Sequence, residues 1–318
     1  MDSLKELYPE VREVLKNSIP NYWSELRYVL KGFLEGAMSP EAMLPLASCQ
    51  AVNGNPKNAI HISAALLAFG ACLRILDDLE DRDRADKLWE KVGTARAWNF
   101  ACAVNIICFE ILSKAPLQLE VFKSINQCYL DTCLRIAAGQ DKDLAGVTQT
   151  IDDYWLSIQM KTASASAMAC ATGAMVGTDN SELIQACGVF GHHLGLAIQI
   201  LNDMESIWQP DGITDLKQGK ITLPLLYGLQ SNHPEREELM SIVSDNEIAT
   251  HAERIQEILD HIDTKRFLIW AALKEREQAL EAIKICPNAE GREVLESYIT
   301  GMFGDIDLLL EKPEDDKT

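Results

Sequence analysis

Hydrophobic residues recur along nearly the whole chain at intervals of three and four, the spacing of one face of an α-helix, and the strict alternation of a half-buried strand is absent. Gly and Pro read as punctuation between the helical stretches. The pattern predicts amphipathic helices over residues 4–19, closed by Pro20, and over 22–34. Ser39-Pro40-Glu41 is a helix start, with Ser as N-cap and Pro in the first turn, and that helix is expected to run to Val52. A central apolar helix follows over 58–83. Further helices are predicted over 87–113, 117–138, 151–176, 181–207, 220–229, 235–244, 247–262, 266–285 and 291–310, with a turn opening at Gly139 and a loop over 208–219. The expected fold is all-α. There is no linker, repeat or break in composition, so one domain is expected over 1–310, with a charged, disordered tail at 311–318.

The chain has 318 residues, 47% of them hydrophobic, which is ample for a sizeable core. Its net charge of −19 argues against nucleic acid and anionic membrane surfaces as partners. An anionic substrate would then need bound metal or a local group of lysines. The nine cysteines are scattered, mostly within Ala-rich apolar stretches, and form no CxxC. They read as small buried hydrophobes in a reducing compartment, and a zinc site is not expected. Residues 1–16 are charged and amphipathic with no signal-peptide core, and no charge-free run is expected to span a membrane. The expected location is cytoplasmic.

Candidate chemistry concentrates at the end of the central helix, in Leu76-Asp77-Asp78-Leu79-Glu80-Asp81-Arg82-Asp83. Asp77 and Asp81 fall on one helical face a turn apart, where like charges repel. A hard divalent cation relieves that repulsion, because Mg²⁺ takes carboxylate oxygens together with those of a substrate phosphate. Taken alone, such a cluster is more often a solvated helix end. A second oxygen-rich stretch, Asn202-Asp203-Met204-Glu205-Ser206, ends another apolar helix and favours the metal reading. Lys161-Thr162-Ala163 sets a lone lysine before a run of small residues, and Asp215-Leu216-Lys217-Gln218-Gly219-Lys220-Ile221-Thr222-Leu223-Pro224 adds a second lysine. Two such helix ends can clamp metal ions from opposite sides, with Lys161 and Lys220 on a diphosphate and apolar helices enclosing a greasy tail.

In this order and spacing the motifs resemble the trans-isoprenyl diphosphate synthase (polyprenyl synthetase) superfamily over roughly residues 30–305. DDLED matches its first aspartate motif. Gln140 and Asp143 match its GQxxD, Tyr154 and Lys161-Thr162 its tyrosine and KT pair, and Gln199 the glutamine one turn before the second aspartate motif. Asp215, Gly219, Lys220 and Thr222 match its DLxxGKxTLP. The resemblance implies a single-domain helical bundle of the isoprenoid synthase type around a deep central cavity, three Mg²⁺ ions, an allylic prenyl diphosphate substrate and a homodimer. It implies metal ligation by Asp77, Asp78, Asp81, Asn202, Asp203 and Ser206, and catalytic roles for Lys161, Gln199 and Lys220. Substrate contacts are implied for Gln140, Asp143, Thr162 and Asp215. In the family, residues one and two turns before the first motif set pocket depth; here they are Phe69, Cys72 and Leu73, with Phe69 as a candidate floor. His192 and His193 are not expected to act as bases, and Trp208 is either a lid residue or a turn anchor.

The departures shape the expected function. The segment matching the family's GGKRLRP-like cation holder, residues 36–45, contains no Lys or Arg, and the arginine pair that follows the first motif is missing. Arg82, Arg84 and Lys87 are the available substitutes. A second diphosphate is hard to hold without such cations, because unpaired buried charge is costly. The second motif has Asn and Ser where the family has Asp. The chain is therefore expected to ionise an allylic diphosphate and transfer the prenyl group to an unidentified acceptor other than isopentenyl diphosphate, resembling the ComQ-type branch. The alternatives are a class I terpene synthase, a conventional chain-elongating synthase, and a catalytically silent subunit of one.

Overall fold

The computed structural model describes residues 2–36, 39–81, 87–146, 150–208 and 214–304. Among them every regular element is a helix, and none is a strand. Arg82 and Arg84 and the expected tail at 311–318 lie outside the described residues, as does the side chain of Asp81. The chain folds as two compact units, each drawing on three separate segments. One comprises Met1–Asp131, Ser166–Val189 and Ile283–Leu295, and the other Thr132–Ala165, Phe190–Ala282 and Glu296–Thr318. Units interleaved in this way leave no linker or change of composition between them in the sequence.

The boundaries depart from the sequence pattern where a special residue acts. The stretch expected over 87–113 breaks at Gly93, which sits at φ +84°, into Leu88–Val92 and Thr94–Ser113. Residues 22–34 divide into Ser24–Val29 and Lys31–Glu35. Pro45 lies inside the Pro40–Ala51 helix and does not separate two helices. The turn expected at Gly139 is absent, because the Leu119–Leu144 helix runs straight through it. The helix expected over 151–176 is interrupted by a π-turn, Gln159–Ala163, between Ile151–Ile158 and Ser164–Gly177. The expected loop 208–219 contains a short helix, Thr214–Lys217, and the helix after it starts at Leu223, with Thr222 as N-cap and Pro224 in its first turn.

In the first unit the central helix, Ile60–Asp81, packs against Thr94–Ser113, Pro40–Ala51 and Tyr8–Ser18. Cys72 is buried and its thiol donates to the Ala101 carbonyl at 3.3 Å. Phe69 is 6% exposed and meets Tyr129 edge-on, with ring centroids 5.1 Å apart; Phe109 meets the same ring at 5.1 Å. The Tyr129 hydroxyl donates to Asn105 Oδ1 at 3.2 Å. Phe69 and Cys72, expected at the substrate, are thus held in core packing, while Leu73 is half-buried. In the second unit Ile207, Leu216, Leu225, Leu239, Ile255 and Leu259 form one buried cluster that fixes the short C-terminal helices.

Three helices, Pro56–Glu80, Thr94–Ser113 and Ser181–Trp208, are long and apolar enough to cross a membrane by length and composition. This corrects the expectation that no stretch reaches that length. In the first, 78% of the apolar window is buried against the rest of the protein. All nine cysteines are free thiols, and the sulfurs of Cys187 and Cys286 lie 3.9 Å apart.

Phe69→Ala removes a ring wedged against Tyr129 and should lower unfolding free energy by about 3–5 kcal/mol, as for other buried aromatic truncations. Urea denaturation followed by circular dichroism measures this. A loss under about 1 kcal/mol would mean that the ring packs poorly enough to serve as a replaceable cavity floor.

Candidate active site

The acidic end of the central helix belongs to the first unit. Asp77 is exposed there, and Asp78 is half-buried, one position round the helix. Lys87 Nζ meets Asp78 Oδ1 at 2.5 Å. This lysine, one of the candidates to replace the missing cations, is thus engaged by the acidic motif itself. Among the described residues no three His, Cys, Asp or Glu side chains gather closely enough to hold an ion unaided. Mg²⁺ usually keeps several waters and binds through one or two carboxylates plus substrate phosphate oxygens. The hard oxygens of Asp77 and Asp78 fit that requirement.

The second unit gathers most of the remaining candidates around the π-turn. A capping box opens the Ile151–Ile158 helix, with Thr150 and Asp153 satisfying each other's backbone N–H groups. The helix carries Tyr154 and Ser157, then widens into the π-turn at Gln159–Ala163, which holds Lys161 and Thr162. Such single π-turns are uncommon and recur at functional sites. Two glycines make room for this one. A Cβ on Gly139 would lie 2.8 Å from Lys161 Cγ, and a Cβ on Gly195 would lie 2.6 Å from both the Thr162 carbonyl oxygen and Ala163 Cα. Gly139 therefore serves close approach within a continuous helix and does not end it.

Two hydrogen-bonded groups result. In the first, Asp143 accepts from Ser157 Oγ at 2.5 Å on Oδ1 and pairs with Lys161 Nζ at 2.6 Å on Oδ2. Gln140 lies half-buried one turn earlier on the same helix. In the second, Thr162 Oγ1 donates to Gln199 Oε1 at 2.8 Å, and Gln199 Nε2 donates to Asp203 Oδ1 at 2.9 Å. Asp203 Oδ2 accepts from Tyr154 Oη at 2.7 Å and from the Leu223 backbone N–H at 3.2 Å. The Leu223 N–H belongs to the first turn of Leu223–Gln230, where the helix dipole favours an anion. Asp203 is 2% exposed. Burial pushes its carboxyl up to about 6, against the opposing pull of its three donors. Burial, reinforced by the Asp203 charge, holds the Tyr154 phenol well above its ordinary value.

Asp203, expected among the metal ligands, has both of its oxygens accepting hydrogen bonds from protein donors in a buried setting. Asn202 and Glu205, on either side, are exposed, and the Ser206 hydroxyl donates back to the Asp203 carbonyl at 2.9 Å. Asp215 and Lys220 close a tight turn, with Lys220 N–H on the Asp215 carbonyl at 2.9 Å. Both side chains are half-buried. The Thr222 hydroxyl, at the N-cap of the next helix, is buried without a hydrogen-bond partner. Trp208 is a turn anchor: its indole N–H donates to Asp260 Oδ1 at 2.7 Å, while Gln256 Nε2 bonds the neighbouring Ile207 carbonyl at 3.0 Å. His193 pairs with Glu275 at 2.6 Å, away from these groups in the hydrogen-bond network.

Sequence reasoning missed Ser157, Gly195 and the Leu223 N–H. The signals for the first two were present: Ser157 falls one turn before Lys161, and an isolated Gly inside an apolar helix often marks a close contact. The third is a main-chain group and leaves no mark in residue identity.

A family model described as Polyprenyl synthetase matches residues 39–262. The short chain isoprenyl diphosphate synthase of Methanothermobacter thermautotrophicus is 27% identical over 312 residues, covering 93% of this chain and 95% of its own. A geranylgeranyl diphosphate synthase of Mycobacterium tuberculosis is 30% identical over 214 residues, 63% of this chain and 61% of its own. Among solved structures, the geranylgeranyl pyrophosphate synthetase of Pyrococcus horikoshii superposes with a TM-score of 0.83 at 22% identity, covering 95% of this chain and 97% of its own. A polyprenyl synthase of Caulobacter crescentus, complexed with calcium and isoprenyl diphosphate, superposes with a TM-score of 0.84 at 19% identity, covering 95% and 96%. These structural likenesses establish the all-α fold.

Gly195→Ala should destabilise the protein by about 1–3 kcal/mol, because the new methyl meets main chain that cannot rotate aside. Thermal unfolding measures the cost. A variant as stable as the parent would show that the approach of residue 195 to Thr162 and Ala163 is looser than described.

Proposed function

The chain belongs to the polyprenyl synthetase family and is a prenyltransferase acting on allylic diphosphates, and we propose that it elongates an allylic prenyl diphosphate by condensation with isopentenyl diphosphate. The observation that carries this reading is the likeness to a short chain isoprenyl diphosphate synthase over 93% of the chain. It replaces transfer to a different acceptor, the reading drawn from the missing cations, as the leading reading. In the reaction the allylic C–O bond breaks, the electron pair leaves with the diphosphate, and the isopentenyl double bond attacks the allylic carbon. Loss of a proton then restores a double bond in the lengthened chain.

In this reading Asp77, Asp78 and Asp81 would hold Mg²⁺ at one helix end, and Asn202 and Ser206 would offer neutral oxygens at another, for three ions in all. Bound there, Mg²⁺ would neutralise the departing diphosphate. Lys161 and Lys220 offer ammonium groups to the same oxygens, and Gln140, Asp143 and Asp215 set their surroundings. Preorganised cations in a site closed to water stabilise the leaving group without reorganising solvent. The apolar helices keep water from the allylic cation. Gln199 and the Thr162 hydroxyl present a fixed dipole beside Lys161. A homodimer accords with the exposed Trp98 and Ile106 on the Thr94–Ser113 helix, and a cytoplasmic location with nine cysteines that form no disulfide.

A second reading rests on a specific feature: residues 36–45 carry no Lys or Arg, and Lys87 is committed to Asp78. Without cations for a second diphosphate, the enzyme would ionise its substrate and pass the prenyl group to another acceptor, or release a terpene.

The deciding assay incubates the protein with Mg²⁺ and geranyl, farnesyl or geranylgeranyl diphosphate, with and without isopentenyl diphosphate. A longer diphosphate formed only with isopentenyl diphosphate is expected. Pyrophosphate with a hydrocarbon or alcohol in its absence would favour the second reading, and no pyrophosphate under either condition would reject both. Asp77→Ala should lower turnover by at least about a hundredfold, without lowering the unfolding midpoint, since it relieves repulsion at the helix end. Chelation of Mg²⁺ should abolish turnover of the parent, and full activity in either test would remove the acidic motif from the mechanism.

A further inference from the structure

We propose that Asp203 is a positioning residue whose carboxylate fixes the orientation of the Gln199 amide and, through it, the direction in which the Thr162 hydroxyl donates. The proposal rests on the reading that the chain ionises an allylic diphosphate, but its structural half stands independently. An ionised carboxylate only accepts hydrogen bonds. Oδ2 is occupied by the Tyr154 hydroxyl and the Leu223 N–H, so Oδ1 is left for Gln199. Gln199 must turn its NH₂ group to that oxygen, which aims its carbonyl at Thr162, and the Thr162 hydroxyl must then donate. Every group in the chain has one allowed polarity, set from the Asp203 end.

The spatial arrangement gives this polarity a function. Thr162 is in the π-turn beside Lys161, and Gly195, one turn before Gln199, brings the Ser181–Trp208 helix onto that turn. Asp203 thereby ties together the Ile151–Ile158 helix through Tyr154, the π-turn through Gln199 and Thr162, and the Leu223–Gln230 helix through its first N–H. With the amide locked, the Thr162 hydroxyl donates to Gln199 and its lone pairs are kept from the Gln199 NH₂, so that on the proposed reading an oxygen dipole of fixed direction stands beside Lys161. A reversed amide would instead make Thr162 accept from Gln199 and turn its proton outward.

The test exchanges the charge between the two ends. In Asp203→Asn the amide oxygen must take the place of Oδ2 to satisfy Tyr154 and Leu223, so the new NH₂ faces the Gln199 NH₂ and forces that side chain to flip. In Gln199→Glu two carboxylates face each other. In the double variant the introduced amide at position 203 donates its NH₂ to the introduced carboxylate at position 199. The other oxygen of that carboxylate accepts from Thr162, and the original polarity at Thr162 returns with the net charge unchanged. Each single variant should melt a few degrees lower than the parent and lose about tenfold or more in kcat for pyrophosphate release, with KM little altered. The double variant should recover both quantities well beyond additivity. A double variant no better than the worse single would overturn the proposal. So would Asp203→Asn with an unchanged midpoint and a raised Mg²⁺ requirement, the signature of a lost metal ligand. If the parent releases no pyrophosphate, the functional reading fails, and the recovery or non-recovery of the melting temperature still decides the network.

Discussion

A carboxylate shut away from water has to be given donors, and in this protein the arrangement of one unit follows from that requirement. Asp203 has three donors, from a side chain on one helix, a side chain on its own helix, and the first turn of a third. Removing any donor would leave a buried acceptor short of a partner, at a cost of about 1–3 kcal/mol. Gln199 sits on one of the elements that supply those donors, and the π-turn with Lys161 and Thr162 follows directly on the helix that supplies Tyr154, so the hydrogen-bonding of a single acid and the alignment of the catalytic candidates are linked. The π-turn and Gly195 are the steric side of it: the helices approach closely enough for short side chains to bridge them.

The first unit poses the opposite problem, a cluster of acids at a helix end that is partly open to solvent. Net charge of −19 makes this end unfavourable for an incoming anion and favourable for a cation. Lys87 offsets one member, Asp78, and leaves Asp77 exposed. On the proposed reading, a divalent ion at this end would offset the acids and prepare the surface for a diphosphate.

Much of this was legible in the sequence. The helical periodicity, the order of the motifs and the placing of Gln199 with the second acidic stretch follow from residue identity and spacing, whereas the pairing of Asp143 with Lys161 is a tertiary fact. The role of Asp203 was not legible. A linear motif assigns adjacent oxygens to the same task, whereas successive residues on a helix point about 100° apart, so Asn202 faces out and Asp203 faces in. For Phe69 the distance from the first motif was visible, but its edge-on contact with Tyr129, 60 positions later, was not. Gly139 read as a terminator because punctuation is its usual meaning, and the close approach of Lys161 and Met160 that explains it is a tertiary fact.

The Asp143–Lys161 pair bears on how the enzyme resets. Before substrate arrives, the ammonium already rests on a carboxylate that Ser157 steadies. On the proposed reading, capture of a diphosphate by Lys161 would exchange one anionic partner for another, and the gain would be the difference between them. The same exchange runs backward when pyrophosphate departs: the lysine has a seat to return to and is never stranded as an unpaired charge. On the proposed reading Asp143 would lower the penalty for product release at the cost of some ground-state affinity, a trade that favours repeated cycles over tight retention.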